Sequence, residues 1–419
     1  MLPSKDELNM KRAETPPSVP RGGGQASRSE KPHVPGNEPN IPLGYLRAII
    51  IVLVLVHHTA VAYLLPVAPP PASSLVEYLH SIRAISPVID VVHSRLFFFV
   101  VFFNDRFFMA LMFFLSGLFV WESLQRKGRL VFFRDRMIRL GIPFIVMVIL
   151  APITYYTSYL QTRSSAGPLS FWQQWMSLGD WPTGPAWFLW LLLAFDIVVI
   201  ALSLLTRGRS DFPDKIPSAV MGRPGTFFWL LVVISAVSYI PMTGIYDPYF
   251  SWWRWGPFSF QTARVFLYLV YFLVGVSLGM YGTRRTFLTP NSILARRWYI
   301  WVAAALAAFL ANIVSTLARA NETLVAVSLL LFCAAACFAF LAIFLKFAVN
   351  PSRVLDSLFR NSYGIYVIHY VVVSWVLYAI LKTTLPAIAK GSIVFLCSLA
   401  FCWGTISLIR RVPSVARVI

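Results

Sequence analysis

Charge is scarce in this chain. Only 13% of its 419 residues are charged, against 58% hydrophobic, and the acidic side is the thinner, with 17 Asp and Glu beside 36 Lys and Arg. A soluble domain carries roughly 25% charged residues, and so apolar a chain would leave large hydrophobic patches in water. A water-soluble fold is excluded. Cysteine is sparse too. Cys333, Cys337, Cys397 and Cys402 all lie inside apolar runs, where a free thiol acts as a small hydrophobe. Cys333 and Cys337 stand one helical turn apart, but no His or carboxylate completes a metal set. No internal repeat is found, nor a Gly/Pro-broken pair of helices in matching halves, the usual sign of a secondary transporter. The net charge of +19 does not indicate nucleic acid, which requires a clustered basic face. Here Lys and Arg come in short stretches between apolar runs.

There are ten such runs. A spanning helix needs about 20 mostly apolar residues, and suitable stretches lie near 43–65, 107–124, 141–160, 186–205, 226–245, 263–281, 298–318, 323–347, 363–382 and 390–409. With a cytoplasmic N-terminus, the segments 1–47, 126–139, 207–223, 284–297, 346–360 and 410–417 hold 27 of the 36 Lys and Arg. The positive-inside rule predicts this bias. The expectation is an all-α polytopic helix bundle over 41–411 with both termini cytoplasmic. Residues 1–40, rich in Pro, Gly, Ser and charge, read as a disordered cytoplasmic tail, and 412–419 as a short second tail. No cleavable signal peptide precedes the first run, so that helix must serve as its own insertion signal. Residues 96–103 are apolar as well, but Asn104, Asp105 and Arg106 part them from the second run. They are expected as an interfacial or re-entrant piece.

The outer loops are rich in aromatics. The stretch 66–106 has Pro69–Pro71 followed by Glu77, His80, Arg83, Asp90 and His93; the loop 161–185 has Trp172, Trp175, Trp181 and Pro182; the loop 246–262 has Trp252, Trp253, Arg254 and Trp255. Tryptophan anchors membrane interfaces, or its faces stack against sugar rings. Both readings stand.

Ionisable groups inside a bilayer are costly and by default functional. In the first run Arg47 and His58 are eleven residues apart, almost three helical turns, so they share one face roughly 16 Å apart, with His57 about 80° away. An imidazole can take and give a proton near physiological pH. The structural alternative is a snorkelling Arg and a His bonded to a neighbouring helix. Asp196, in the fourth run, is an intramembrane carboxylate that needs a partner the sequence does not name.

The Arg47-to-His58 spacing resembles the Arg, ten residues, His hallmark of the acyltransferase type 3 family of membrane acyltransferases. Phe113-Phe114-Leu115-Ser116-Gly117, Arg136-Met-Ile-Arg139-Leu-Gly-Ile-Pro143, Trp187-Phe188-Leu189 and Ser362-Tyr-Gly364-Ile-Tyr366-Val-Ile-His369 resemble further elements of that family in the same order. The Arg139-Leu-Gly-Ile-Pro143 stretch looks closest to the branch that modifies periplasmic glucans. One position departs: Phe108 precedes Met109 where the family often has His or Arg, and Arg106 stands two residues earlier in a different register.

The resemblance implies a multi-pass enzyme of a cell membrane, a bacterial inner membrane, that moves an acyl group from acyl-CoA to a hydroxyl of an extracytoplasmic glycan or glycolipid. No metal and no resident cofactor are expected; acyl-CoA is a co-substrate. His58 is the candidate general base, Arg47 a second catalytic candidate, and Arg136 and Arg139 the candidate donor-binding pair, through the planar donor fork that suits phosphate. His369, Tyr366, Trp187 and Ser116 are supporting candidates. His369, counted from Ser362, should lie in the inner or middle part of its helix, where it binds donor, orients a partner or makes a structural hydrogen bond. No Gly-x-Ser-x-Gly elbow surrounds Ser116, so its Ser-Gly pair favours close helix packing. Two competing classes are a transporter or flippase for a lipid-linked or acidic solute, and a non-catalytic scaffold.

Overall fold

The computed structural model describes residues 40–64, 74–81, 86–162, 169–205, 222–248 and 250–419. The expected N-terminal tail (except residue 40), Pro69–Pro71, Arg83 and most of the basic loop 207–223 lie outside the described residues.

Among the described residues ten helices are long and apolar enough to cross a membrane: α1 (Ile41–Val61), α2 (Arg95–Lys127), α3 (Arg129–Thr162), α4 (Gly184–Leu205), α5 (Pro224–Thr243), α6 (Thr262–Tyr281), α7 (Trp298–Leu317), α8 (Glu322–Phe347), α9 (Arg353–Ile380) and α10 (Ala387–Ile409). Each overlaps one expected run. The chain is an all-α, multi-pass membrane protein. Residues 412–419, expected as a tail, carry a further short helix, Pro413–Val418.

Three departures from the sequence reading have physical causes. Residues 96–103 form the helix Arg95–Asp105, which runs through a turn at Arg106 and Phe107 into the next part of α2. Two members of the polar triplet that hid this continuity, Asp105 and Arg106, have partners. Arg264, at the head of α6, donates to the Asp105 carbonyl and carboxylate, both at 2.8 Å, and so satisfies a helix-end carbonyl that has no partner within its helix. The second departure is in α9, which starts at Arg353, ten residues before the apolar run; Arg353, Asp356 and Arg360 mask its first turns from hydropathy. The third is a two-stranded hairpin, β1 (Trp252–Trp255) paired antiparallel with β2 (Phe258–Gln261), in the loop 246–262. Gly256, with φ of +54°, makes the turn that only glycine adopts without cost. Trp253 stacks on Phe260 across the strands at 5.1 Å.

Small residues let the helices approach. A Cβ on Gly117 would overlap the Phe272 carbonyl, and one on Gly275 or Gly279 would overlap the carbonyl of Phe114 or Leu118. The α2 and α6 backbones therefore meet directly, the close approach that small residues permit where lipid offers no hydrophobic drive. Helix α8 is the most buried of the ten and α7 the least. Ala334, Ala335, Ala336 and Ala339 keep α8 thin enough to sit inside the bundle.

Candidate active site

Helices α1 and α9 run parallel and in register. The Tyr45 hydroxyl donates to the Asp356 carboxylate and accepts from the Ser352 N–H at 3.0 Å. Gly44 faces Phe359, whose ring would lie 3.2 Å from an added Cβ. Farther along, His58 meets His369, with ring centroids 5.3 Å apart. Tyr45 and Asp356 are 311 residues apart in sequence, and so are His58 and His369. Two straight helices keeping one offset over three turns must be parallel. The early start of α9 decides the depth of His369: it lies sixteen residues into its helix, as His58 lies seventeen into α1. The count from Ser362 is too short, and the longer helix leaves His369 in its middle part. His369 stands beside His58 and not among the arginines.

The histidine end is walled by aromatic rings. Tyr370 approaches His58 edge-on at 4.9 Å, and Tyr366 lies 5.6 Å from His369. His57 meets His58 at 5.4 Å and Phe108 at 5.1 Å. Phe108, at the position where a charge was sought, thus packs on the neighbouring imidazole. Arg106 does not replace that charge. It lies over the Phe102 ring at 3.2 Å and donates to Asn312 at 2.7 Å and to the Phe102 carbonyl at 2.8 Å.

A turn covers this end. Gly184–Ala186 form a single turn ahead of Trp187; the Tyr366 hydroxyl donates to the Pro185 carbonyl, and Gly184, at φ of +55°, lies so close to the Tyr370 ring that a Cβ would overlap it. The turn is tethered in turn to the hairpin, through Thr183 Oγ1 to the Pro257 carbonyl at 3.2 Å and the Trp181 N–H to the Gly256 carbonyl at 3.2 Å.

The arginine end gathers Arg47, Arg136 and Arg139. Arg47 interacts electrostatically with both of the others and with Tyr363. Helix α3 contains a π turn at Met137–Gly141, a feature that leaves a carbonyl free and recurs at functional sites. The Arg139 carbonyl, within that turn, accepts from the Tyr363 hydroxyl, which fixes the π turn to α9. Arg136 supplies the partner that Asp196 needed, Nε to Oδ2 at 3.2 Å. Among the described residues no carboxylate forms an ion pair with Arg47 or Arg139. Among the described residues Asp196 is the one carboxylate ion-paired within this group, and Asp135 interacts electrostatically with Arg139.

The supporting candidates separate. Tyr366 is at the histidine site. Trp187 stacks on Tyr268 at 5.7 Å and meets Trp252 at 5.8 Å, inside the aromatic packing between α4, α6 and the hairpin. Ser116 has no hydrogen-bonded base among the described residues, and its neighbour Gly117 makes the close α2–α6 contact. The buried pair of Lys390 and Asp90, at 2.7 Å, was not anticipated. It ties α10 to a strap whose Asp90 N–H donates to the Ala62 carbonyl at the end of α1. Burial, with the Asp90 carboxylate adding to it, raises the Tyr63 phenol above its ordinary value. The signals for the missed groups were ionisable residues at the margins of apolar runs: Asp105, Arg264 and Lys390.

Fold and site together define a multi-pass membrane protein in which one helix joins a cluster of arginines to a pair of histidines. Comparison with protein families finds the acyltransferase 3 family, described as an acyltransferase domain, matching residues 41–407. The chain belongs to that family, and it is an acyltransferase. Searches among curated proteins and among solved structures gave no match.

Proposed function

We propose that this enzyme transfers an acyl group from acyl-CoA in the cytoplasm to a hydroxyl of an extracytoplasmic glycan or glycolipid, with a periplasmic glucan as the acceptor class that fits best. In this reading both termini are cytoplasmic and the membrane is a bacterial inner membrane. The observation that carries it is the arrangement on α1, where Arg47 stands with Arg136 and Arg139 and His58 stands beside His369, roughly 16 Å farther along the helix. The arginine end suits the phosphates of a CoA ester, because guanidinium forks bind phosphate oxygens in pairs. The thioester at the tip of the long pantetheine arm would then lie toward the histidines.

His58 acts as general base. It removes the hydroxyl proton of the acceptor as the oxygen attacks the thioester carbon; the C–O bond forms, the C–S bond breaks and the thiolate leaves with a proton. General-base assistance of this kind contributes about 10²–10⁴-fold. No covalent intermediate on the protein is needed.

Sided proteoliposomes test the reading. With acyl-CoA sealed inside and glucan outside, the vesicle population whose Arg47 end faces the lumen should acylate the external glucan. Acylation only of glucan that shares a compartment with acyl-CoA would overturn it.

A further inference from the structure

His369 carries an atom the mechanism above leaves unused. Its Nδ1 lies 2.6 Å from the Tyr366 carbonyl oxygen. A carbonyl only accepts, so Nδ1 holds the ring proton and the neutral imidazole presents Nε2 as a lone pair. That nitrogen is buried and has no hydrogen-bond partner, in a residue that is 1% exposed. Buried acceptors are nearly always satisfied, and an exception calls for a reason.

The surroundings narrow the reason. The rings nearest His369 are His58 at 5.3 Å, Tyr366 at 5.6 Å and Tyr370 at 6.2 Å. The Tyr366 hydroxyl is committed to the Pro185 carbonyl. On the far side of His58 lies His57, which feels Asp105 and Arg264 electrostatically. Among the described residues no carboxylate is hydrogen-bonded or ion-paired to His58 or His369. A base that takes a proton here has no Asp or Glu behind it to steady the imidazolium, and an unsupported buried cation is costly.

We infer that His369 is the second member of a proton relay and takes up at Nε2 the proton that His58 releases. The inference rests on the acyl-transfer reading above. As the acceptor O–H breaks, its proton passes to one ring nitrogen of His58, and once the two rings, 5.3 Å apart between centroids, turn to hydrogen-bond distance, the proton on the other His58 nitrogen passes to His369 Nε2. The positive charge then rests on a ring whose Nδ1–H is already held by a carbonyl and which lies beside the rings of Tyr366 and Tyr370, a setting that favours a cation. The acceptor oxygen bonds to the thioester carbon and the C–S bond breaks. The proton returns through His58 to the thiolate, so ester and thiol leave and both imidazoles end neutral. His369 acts through His58 and is a positioning residue for the proton, not a group that touches substrate.

Proton inventories on the full-length protein in proteoliposomes test this. The rate is measured against the D₂O fraction for wild type and for His369→Gln, which keeps an acceptor atom but cannot hold a proton. Wild type should give a curved plot, from two protons moving together, and the variant a straight one. The variant should keep its KM for acyl-CoA while kcat falls on the order of 10²-fold. A straight wild-type plot, or a His369→Gln enzyme with wild-type kcat, would overturn the relay. If the variant does not fold, the wild-type plot decides alone. Wild type that transfers no acyl group would defeat the acyl-transfer reading, whereas transfer that needs His58 but not His369 would defeat the relay only.

Discussion

Asp196 and Arg136 form an ion pair at 3.2 Å in which the carboxylate is 1% exposed and the guanidinium side chain 22%. The two partners are not equivalent. Removing Arg136 strands a fully buried carboxylate, whereas removing Asp196 leaves an arginine that still reaches polar surroundings.

The asymmetry gives the first prediction. Breaking a buried pair from one side costs about 3–5 kcal/mol, and Arg136→Gln should approach that figure. Asp196→Asn should cost clearly less, because Arg136 keeps solvent and the neighbouring π turn. The double variant should recover much of the loss. Melting temperatures of the three proteins in detergent check the order; equal losses for the two single variants would refute it.

The α2–α6 contact gives the second. Gly117→Ala places a methyl on the Phe272 carbonyl, and forcing extra volume into a packed contact costs typically 1–3 kcal/mol. Gly404 has nothing within 4 Å of an added Cβ, so Gly404→Ala should leave the melting temperature unchanged. Equal effects at the two positions would mean that the helices do not meet at Gly117.

Gly184 joins stability to activity. Its φ of +55° disfavours a side chain by roughly 1–2 kcal/mol, and the Tyr370 ring blocks the space. Gly184→Ala should therefore shift the turn that covers His58 and His369, lowering kcat more than ten-fold (about 1.4 kcal/mol of barrier) with only a modest fall in melting temperature. Wild-type kcat in this variant would show that the turn has no bearing on the histidines.

Arg47 separates binding from chemistry. Arg47→Gln removes a cation that has no carboxylate pair among the described residues, so folding should be little changed. The KM for acyl-CoA should rise about ten-fold or more, in keeping with one charge-assisted phosphate contact of about 1.5–3 kcal/mol. Steady-state kinetics against acyl-CoA concentration check it; an unchanged KM would remove Arg47 from the donor site.

Much of this molecule is legible in its sequence, for a physical reason. A bilayer demands about 20 apolar residues per crossing, and that demand is written locally in the chain. Arg47 and His58 were legible on the same ground, since one helix fixes their spacing. Contacts between helices are different. Asp196 finds Arg136, and His58 finds His369, only once α1, α3, α4 and α9 are packed, and no local pattern encodes that packing. The start of α9 was misjudged because polar residues from Arg353 to Arg360 hide its first turns from hydropathy. The hairpin was missed because Trp252, Trp253 and Trp255 satisfy an interfacial reading as well as a strand. The Gly275-x-x-x-Gly279 spacing was present in the sixth apolar run and marks a close helix contact.

The most direct test of the whole account is acyl transfer by His58→Ala, measured with labelled acyl-CoA and glucan in proteoliposomes alongside binding of the donor. The account predicts that the folded variant binds acyl-CoA as the wild type does and transfers its acyl group at least about 10²-fold more slowly. Transfer at the wild-type rate by a folded His58→Ala protein would contradict it.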